Sequence, residues 1–555
     1  LATKLGVLDG VQFEMLEGMA NHQRRALHEL VDNLLLYAPA CKRENFIHAI
    51  GYLVRRMDEN TGSENFLRHA FKIEVDAPEW RRMEEIFLQS VDRMPSVSEL
   101  PRRNQNRLHP PEQPAAPGDW RYLENEPDTD FSLPQAALFA QSIVEAWQHR
   151  CDSQAKEVLH SIGAGDCQGG GAPYESLDPS RPGVVVARFQ LADAQDMARA
   201  AECAASDPVA WQHWDQSTRY ELLRSAAQQI RLRRGDLMGA ALAEAGKLLT
   251  ESDPEVSEAV DFVEFYSKTA FQFPQGRPRG PVVVISPWNF PIAIPCGGVA
   301  AALATGNCVI LKPSIEAALI ARMLCECFWH AGVPREALQL VICDGPETSA
   351  SLLSNPLIET CIFTGGTETA LKILSARPTL RLMAETGGKN ATIVSSISDR
   401  DLAIKNILHS AFSHSGQKCS ATSLLLLEEE VYENAQFMDS LLDATSSLRV
   451  GSAWDLRTKL GPLIRPPRGP LLRGIKELET KEQWLLMPKN LDENPCLFTP
   501  GIKRDTQPGS FSHLTELFGP VLAILKYQDI AQAIDLVHQT GYGLTSGLES
   551  LDDRE

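Results

Sequence analysis

The sequence has little positive charge for its size, and it lacks the paired cysteines of zinc sites. Its 53 lysine and arginine residues are outnumbered by 72 aspartate and glutamate residues, which gives a formal net charge of −19. Nucleic acid binding needs clustered positive charge, so the composition argues against a nucleic acid partner. No Cys-x-x-Cys pair occurs among the 12 cysteines. We therefore predict no metal site, and reduced, mostly buried thiols in a cytoplasmic protein.

Long hydrophobic runs are also scarce, and only residues 280–311 carry no charge over a length that could span a bilayer. Prolines such as Pro281 and Pro287 interrupt this run, so it predicts buried strands and a helix and not a membrane span. The chain begins at Leu1, inside a helical pattern, and stops at Glu555 in a polar stretch. We expect a fragment truncated at both ends.

The first 93 residues have a largely helical pattern. An amphipathic helical run is predicted to open at residues 13–19. The apolar run Leu34-Leu35-Leu36-Tyr37, ended by Pro39, predicts one buried strand, and residues 44–59 predict the helix that follows it. Nothing else in this stretch resembles a sheet, and a single strand with its helix cannot bury a core of its own.

Residues 94–134 are rich in proline and polar residues, which predicts a linker without a packed core. The basic residues Arg102, Arg103 and Arg107 in this stretch are interpreted as a solvated patch.

From about residue 135 the pattern is that of a large α/β enzyme. Near-continuous apolar strands alternate with helices, and Ser314 is placed to cap the helix predicted over residues 315–329. This alternation predicts a parallel, doubly wound sheet, and such sheets bind ligands at the carboxyl ends of their strands. We therefore expect the chemistry just after Ile285, Leu311 and Phe363.

Polar residues follow each of these three strands. Asn289 stands between two prolines, where its amide either stabilises an oxyanion or satisfies its own turn. Lys312 suits a ribose hydroxyl or a phosphate, although a lone lysine there is more often solvated. Gly365 and Gly366 allow a phosphate to approach a helix N-terminus, which is a weak signal on its own.

Two further residues are candidates for covalent chemistry. Cys419 lies among glycine, polar and small residues on a predicted loop, which is unusual for a core thiol and typical of a nucleophile. Glu385, in the segment Glu-Thr-Gly-Gly-Lys-Asn, is a candidate general base.

Six motifs in this order, with matching separations, resemble the NAD(P)-dependent aldehyde dehydrogenase superfamily over roughly residues 135–555. They are Pro-Trp-Asn-Phe-Pro, Leu-Lys-Pro-Ser, Phe-Thr-Gly-Gly-Thr, Glu-Thr-Gly-Gly-Lys-Asn, Gly-Gln-Lys-Cys and Glu-Leu-Phe-Gly-Pro. The resemblance implies an aldehyde dehydrogenase-like fold, with an NAD-binding domain over 135–384 and a catalytic domain over 385–555.

It also implies roles for individual residues. Cys419 would attack the aldehyde, Asn289 would hold the oxyanion and Glu385 would activate the hydrolytic water. The expected NAD contacts are Trp288, Lys312, Gly365, Gly366, Glu516 and Phe518. The sequence departs from the family at Ile315, where many members have an acidic residue for the adenosine ribose, so the preference for NAD over NADP is open.

Residues 13–19, 36–39 and 52–60 resemble the C-terminal end of the proline dehydrogenase (β/α)8 barrel, which makes residues 1–93 a barrel remnant and 94–134 the linker. The combination resembles the bifunctional proline utilisation A family, whose members oxidise proline to glutamate through glutamate γ-semialdehyde. Residues 251–262 also resemble the semialdehyde dehydrogenase branch. In the barrel remnant the resemblance implies a proline pocket formed by Tyr37, Tyr52, Arg55 and Arg56.

FAD is implied for the longer protein only, because most barrel strands would precede Leu1. We therefore expect the chain as given to bind no FAD and to lack proline dehydrogenase activity. The implied partners are small molecules, and the longer protein would be a homo-oligomer, peripheral at a membrane where it reaches quinones. Two alternatives stay open: a dehydrogenase of another semialdehyde such as succinate semialdehyde, and a catalytically silent scaffold with this fold.

Overall fold

The structure is a computed structural model, and it describes residues 2–17, 21–31, 33–38, 41, 46–63, 65, 68–69, 73–116, 118–343 and 351–555. Contacts divide the chain into two compact units, Leu1–Arg102 and Arg103–Glu555. Each unit is described by itself. No helix within the described ranges combines the length and the apolar character needed to cross a bilayer.

The first unit contains a two-stranded parallel sheet. Strand β1 (Phe13–Leu16) pairs with β2 (Leu34–Tyr37), so that Phe13 lies opposite Leu34 and Leu16 opposite Tyr37. The helices around them are α1 Ala2–Leu5, α2 Asn21–His28, α3 Phe46–Thr61 and α4 Pro78–Arg93.

The strand at Leu34–Tyr37 is observed, and the helix that follows it lies over Phe46–Thr61. The prediction that this strand is buried is wrong, because its last three residues are exposed. The helical prediction for residues 13–19 is wrong where the structure describes them, because β1 is a strand. The expectation that no second strand lies nearby fails for the same reason, since β1 pairs with β2. Residues 18–19, Pro39 and 44–45 lie outside the described residues.

The second unit contains a seven-stranded sheet in the order β12-β11-β8-β9-β10-β4-β5. The first five strands of this order are parallel, which confirms the predicted parallel sheet, and β4 and β5 extend it in antiparallel fashion. The strand bounds are β4 His160–Ile162, β5 Gly165–Cys167, β8 Val282–Ile285, β9 Val309–Lys312, β10 Leu338–Leu340, β11 Thr360–Thr364 and β12 Arg381–Glu385.

Helices cover this sheet: α5 Pro134–Gln148, α6 Ala194–Ser206, α7 Gln216–Leu232, α8 Arg234–Ala245, α9 Leu249–Gln272, α10 Ala293–Ala304, α11 Ala318–His330 and α12 Thr367–Ala376. The four residues of β8 and of β9 are all buried, because helices pack on both faces of the strands. Ser314 occupies the predicted cap position, but its side chain makes no capping hydrogen bond. Its hydroxyl donates to the Glu316 carboxylate, and a 3₁₀ turn, Ile315–Ala317, precedes α11.

A second sheet of six strands has the order β15-β16-β17-β14-β13-β18. Its strands are β13 Asn390–Val394, β14 Thr422–Glu428, β15 Gln483–Leu486, β16 Gly501–Arg504, β17 Val521–Tyr527 and β18 Ser546–Glu549. Between them lie α13 Arg400–Phe412, α14 Glu429–Tyr432, α15 Ala435–Ser446, α16 Gly469–Lys476, α17 Phe511–Leu514 and α18 Ile530–Gln539. A three-stranded sheet of β3 Lys156–Glu157, β7 Val185–Gln190 and β6 Pro173–Leu177, in that order, completes the unit.

Residues 103–116 and 118–133 form a strap that is hydrogen-bonded to helices α7, α8 and α9. Glu126 receives hydrogen bonds from Arg231 at 2.8 Å and from Arg234 at 3.2 Å. The interpretation of Arg107 as a solvated cation is wrong, because its side chain is only 12% exposed and lies 3.6 Å from Glu126. Burial and the neighbouring Arg234 lower the pKa of Arg107. The strap therefore shares a buried polar network with these helices.

Asp253 of α9 is the most enclosed acid of this network. Its carboxylate accepts hydrogen bonds at 2.5 Å from both the backbone N–H and the hydroxyl of Thr129, and at 2.8 Å from Arg234. We predict that Asp253→Ala lowers the free energy of unfolding by about 3–5 kcal/mol, because it leaves a buried arginine short of its partner. Urea unfolding of the purified chain measures this change.

Asp236→Ala is the matched control. Asp236 also pairs with an arginine, Arg150, at 2.6 Å, but both side chains are more than 40% exposed. Exposed pairs contribute little, so this change is expected to cost no more than about 1 kcal/mol. Equal losses in the two variants would contradict a stabilising role for the buried strap network.

Candidate active site

Cys419 lies on the turn between α13 and β14, as its sequence context predicted. The chain reaches it through a 3₁₀ turn, Ser413–Gly416, in which His414 and Ser415 have left-handed backbone angles, with φ of 52° and 53°. Gly416 follows with φ of 68°, and a Cβ there would lie 2.4 Å from the carbonyl oxygen of Gly519. Glycine is therefore required at this position for the turn to pack under residue 419.

Asn289 lies in the turn after β8, and its side chain is held toward the cysteine turn. The Asn289 amide donates a 3.0 Å hydrogen bond to the carbonyl of Gln417, and the residue is only 4% exposed. The turn is tied to the next strand end, because the N–H of Ser286 donates to the carbonyl of Lys312 at 3.1 Å. The two strand ends predicted to carry chemistry are thus adjacent.

One cavity of about 330 Å³ brings most of the predicted site residues together. Its lining includes Trp288, Asn289, Gly365, Gly366, Cys419, Glu516 and Phe518. Sequence analysis missed the contribution of residues 463–471, which add Arg465, Arg468 and Leu471 to the wall. The only sequence signal for this wall is the rigid Pro466-Pro467 pair that precedes Arg468.

Glu385 and Lys312 are not among the residues that line this cavity. Glu385 is the exposed last residue of β12, and it lines a neighbouring cavity of about 530 Å³ that shares Thr386 and Gly387 with the first. Lys312 is the buried last residue of β9. Lys312 is at a strand end, as predicted, and Glu385 also ends a strand, which the sequence analysis did not predict.

Burial and two carboxylates make the Cys419 thiol a weaker acid than an ordinary cysteine thiol. Burial raises its pKa most, Glu516 and Glu385 raise it further, and the backbone N–H groups of Ser420 and Cys419 oppose the rise. Burial also raises the pKa of Glu516, whose carboxylate accepts a 2.9 Å hydrogen bond from the N–H of Gly388.

We predict that alkylation of Cys419 by iodoacetamide is slow at neutral pH and accelerates as pH rises beyond the range of an ordinary thiol. The reason is that only the thiolate reacts, and a raised pKa delays its formation to higher pH. In Glu516→Gln one neighbouring negative charge is removed, so the pKa falls and the pH profile of alkylation moves to lower pH. Mass spectrometry of the labelled cysteine measures the profile, and an unmoved profile would contradict the electrostatic assignment.

The described part of the chain contains no group of three or more histidine, cysteine, aspartate or glutamate side chains placed to hold a metal ion. Most of the cysteine side chains are buried.

In the first unit, the four residues predicted for a proline pocket lie together at the end of β2 and on α3. The Tyr37 and Tyr52 rings are 6.5 Å apart, and the Arg55 guanidinium lies 5.6 Å from the Tyr52 ring centre. Arg55 and Arg56 both face Glu59, at 3.7 Å and 3.3 Å. A hydrogen bond with Tyr52 raises the pKa of Tyr37. The two arginines are exposed on this face of the helix.

Two family profiles match the sequence. The profile described as the aldehyde dehydrogenase family matches residues 167–555, and the profile described as proline dehydrogenase matches residues 1–69. Among curated proteins, the 1-pyrroline-5-carboxylate dehydrogenase of Geobacillus thermodenitrificans is 31% identical over 454 residues, which cover 77% of this chain and 86% of that protein.

Known structures agree with the profiles. Proline utilization A from Corynebacterium freiburgense superposes with a TM-score of 0.80 at 34% identity, over 100% of this chain and 50% of that one. The chain thus spans half the length of that protein. A 1-pyrroline-5-carboxylate dehydrogenase from Thermus with bound NAD superposes with a TM-score of 0.73 at 30% identity, over 78% of this chain and 87% of that one.

Proposed function

The chain belongs to the aldehyde dehydrogenase family, and from that premise we propose that it oxidises L-glutamate γ-semialdehyde, the open form of 1-pyrroline-5-carboxylate, to glutamate with NAD. The observation that carries the proposal is that the Cys419 thiol and the Asn289 amide line one cavity with the glycine loop of residues 365–366. The similarity to 1-pyrroline-5-carboxylate dehydrogenases, at 31% identity, supports the choice of aldehyde.

Cys419 is the nucleophile of the proposed reaction. Its thiolate bonds to the aldehyde carbon, and the carbonyl oxygen becomes an oxyanion held by the Asn289 amide and the N–H of Cys419. The Asn289 amide nitrogen carries two hydrogens, and the bond to Gln417 uses only one of them. The second hydrogen is therefore available to the oxyanion, while the first keeps the amide in place.

Glu385 is the proposed base for the second half of the reaction. Loss of hydride from the substrate carbon leaves a thioester on Cys419, which water must hydrolyse. Glu385 removes a proton from that water, the carbon–sulfur bond breaks, and glutamate leaves with the thiolate restored. Its exposed position at the end of β12 gives it access to water, and its charge is near enough to influence the Cys419 pKa.

The residues at the strand ends fit a dinucleotide. Gly366 is the cap residue just before α12 and has no side chain to bond the start of the helix, so the N–H groups of Thr367 and Glu368 would receive the pyrophosphate, with Gly365 beside them. Lys312 and Glu516 would hold ribose hydroxyls, with Trp288 and Phe518 beside the nicotinamide. Bound NAD supplies the acceptor for the hydride that leaves the substrate carbon.

Glu316 does not by itself select between NAD and NADP. It follows Ile315, and its carboxylate is held by the Ser314 hydroxyl and by Arg465 at 3.0 Å. Because Arg465 neutralises this carboxylate, the pair carries no net negative charge to repel the additional phosphate of NADP, and the assay below compares the two cofactors.

For the longer protein of which this chain would be a part, we propose FAD-dependent proline oxidation in the first unit. Tyr37, Tyr52, Arg55 and Arg56 would bind proline there, with the two guanidinium groups on its carboxylate. Peripheral membrane association and a homo-oligomeric state belong to the same proposal.

The test is the rate of NADH formation by the purified chain with three aldehydes, namely glutamate γ-semialdehyde, succinate semialdehyde and acetaldehyde, each with NAD and with NADP. We expect kcat/KM to be highest for glutamate γ-semialdehyde with NAD. A higher value for another semialdehyde would replace the proposed substrate. A folded chain that oxidises none of the aldehydes would favour the scaffold alternative.

A further inference from the structure

A buried ion pair lies directly behind the turn that carries Asn289. Lys247 follows the end of α8, and its ammonium group is 2.7 Å from the carboxylate of Glu255 on α9. The side chains are 1% and 0% exposed. Neither residue lines the candidate active-site cavity, so this pair contacts neither substrate nor cofactor in the proposed reaction.

The pair also contacts the turn that carries Asn289, mainly through backbone atoms of that turn. Lys247 donates a 2.8 Å hydrogen bond to the carbonyl of Asn289, and its ammonium lies 4.4 Å from the Phe290 ring centre. The second oxygen of Glu255 accepts hydrogen bonds from the N–H groups of Ile292, at 2.6 Å, and Ala293, at 3.1 Å. Three backbone atoms of residues 289–293 are thus held by one ion pair.

The same helix also holds the cysteine turn. Glu251, one helical turn before Glu255, accepts a 2.6 Å hydrogen bond from the N–H of His414. The carbonyl of His414 in turn accepts the N–H of Gln417 at 3.0 Å, and Gln417 receives the Asn289 amide. The first turns of α9 therefore fix both partners of the Asn289–Gln417 hydrogen bond.

Stability does not account for such a pair, because replacing a buried ion pair by apolar groups of similar shape is often neutral or stabilising. A charged pair instead fixes the orientation of the backbone, because a carboxylate and an ammonium hold N–H and C=O groups more strongly than neutral partners do. Small errors in the placement of a catalytic group are costly, and a 1 Å displacement can reduce a rate by about 10²-fold.

We propose that Lys247 and Glu255 are positioning residues that aim the Asn289 amide at the oxyanion. The proposal rests on the proposed dehydrogenase function, in which Asn289 stabilises that oxyanion. Lys247 fixes the backbone carbonyl of Asn289, Glu255 fixes the start of the following helix, and together they leave the side-chain amide one orientation.

The test is the double variant Lys247→Met/Glu255→Gln in the full chain, which removes both charges and keeps both shapes. We expect it to fold and to bind the aldehyde with a KM close to that of the parent chain, while kcat falls by about 10-fold to 10²-fold. Cys419 should be alkylated by iodoacetamide at the parental rate, because the thiol itself is untouched. An unchanged kcat would overturn the proposal.

A cycle with Asn289→Ala separates positioning from a general structural role. If the pair acts through the Asn289 amide, adding Lys247→Met/Glu255→Gln to Asn289→Ala should slow the enzyme no further. If the fold-losses in kcat of the two sets of changes multiply in the combined variant, the proposal is wrong. Lys247→Met alone serves the same cycle if the double variant does not fold, because the Glu255 carboxylate keeps the N–H donors of Ile292 and Ala293.

The matched control is Lys503→Met/Glu482→Gln. This pair is equally buried, with side-chain exposures of 1% and 0% and a separation of 3.3 Å, but it ties β16 to residues 477–482. We expect its kcat to equal that of the parent chain. An inactive parent chain would refute the proposed function, whereas an active parent whose kcat survives loss of the Lys247–Glu255 pair would refute only this inference.

Discussion

Cys419→Ala is expected to reduce NADH formation by at least about 10³-fold, with no loss of the folded state. The methyl group of alanine cannot form the bond to the aldehyde carbon, so neither hydride loss nor thioester formation can follow. The change removes one sulfur atom from a half-buried turn whose backbone is fixed independently through Gly416 and Asn390. Steady-state kinetics and thermal unfolding of the same preparation measure the two expectations.

Cys203→Ala is the matched control for this change. Cys203 is also a half-buried free thiol, but it lies on α6, and its pKa is raised by burial. Loss of this thiol should leave kcat unchanged. A folded Cys419→Ala protein that still forms NADH from the aldehyde would eliminate the thioester mechanism, whatever the control does.

The strand ends of the main sheet could be predicted because their signal is local. All residues of β8 and β9 are buried. In the sequence β8 is an unbroken apolar run followed by Ser286, and β9 is an apolar run that ends on Lys312. The positions of Asn289, Gly365 and Gly366 on the cavity follow from that pattern and from the parallel arrangement of the strands. Their assigned roles rest on the family motifs.

Features that depend on partners distant in the chain could not be predicted. Phe13–Leu16 is too short to show a clear period, and it is a strand only because β2 pairs with it. Arg107 is buried because Glu126 lies beside it, held in turn by Arg231 and Arg234. Nothing in the composition of a proline-rich stretch indicates these partners.

The same limit applies to the candidate site. Lys247 lies between α8 and α9 in a stretch without a recognisable motif. Its hydrogen bond to the carbonyl of Asn289 forms only when the chain folds. Arg465 reaches the cavity wall from a loop between the strands of the second sheet, and it pairs with Glu316, which is far from it in the sequence. Contacts between residues this far apart in the chain leave no periodic pattern in the sequence.

Asn289→Ala is the second change with a large expected effect, a fall in kcat of about 10² to 10³-fold. The amide is the side-chain donor proposed for the oxyanion, and its nitrogen is already fixed at 3.0 Å from the Gln417 carbonyl. A donor fixed in advance need not reorganise as charge develops on the substrate oxygen, so its removal raises the barrier and leaves aldehyde binding nearly unchanged. We therefore expect the loss to appear in kcat and not in KM.

The lost hydrogen bond to Gln417 has to be separated from the lost oxyanion donor, because both disappear in the same variant. The alkylation rate of Cys419 makes the separation, since a displaced cysteine turn changes that rate and a missing donor does not. Asn307→Ala is the matched control: Asn307 is likewise buried and donates to a backbone carbonyl, that of Ala302 at 3.2 Å, away from the cavity. A normal alkylation rate with a kcat reduced only in Asn289→Ala assigns the loss to the oxyanion, whereas a kcat equal to that of the parent chain would remove Asn289 from the mechanism.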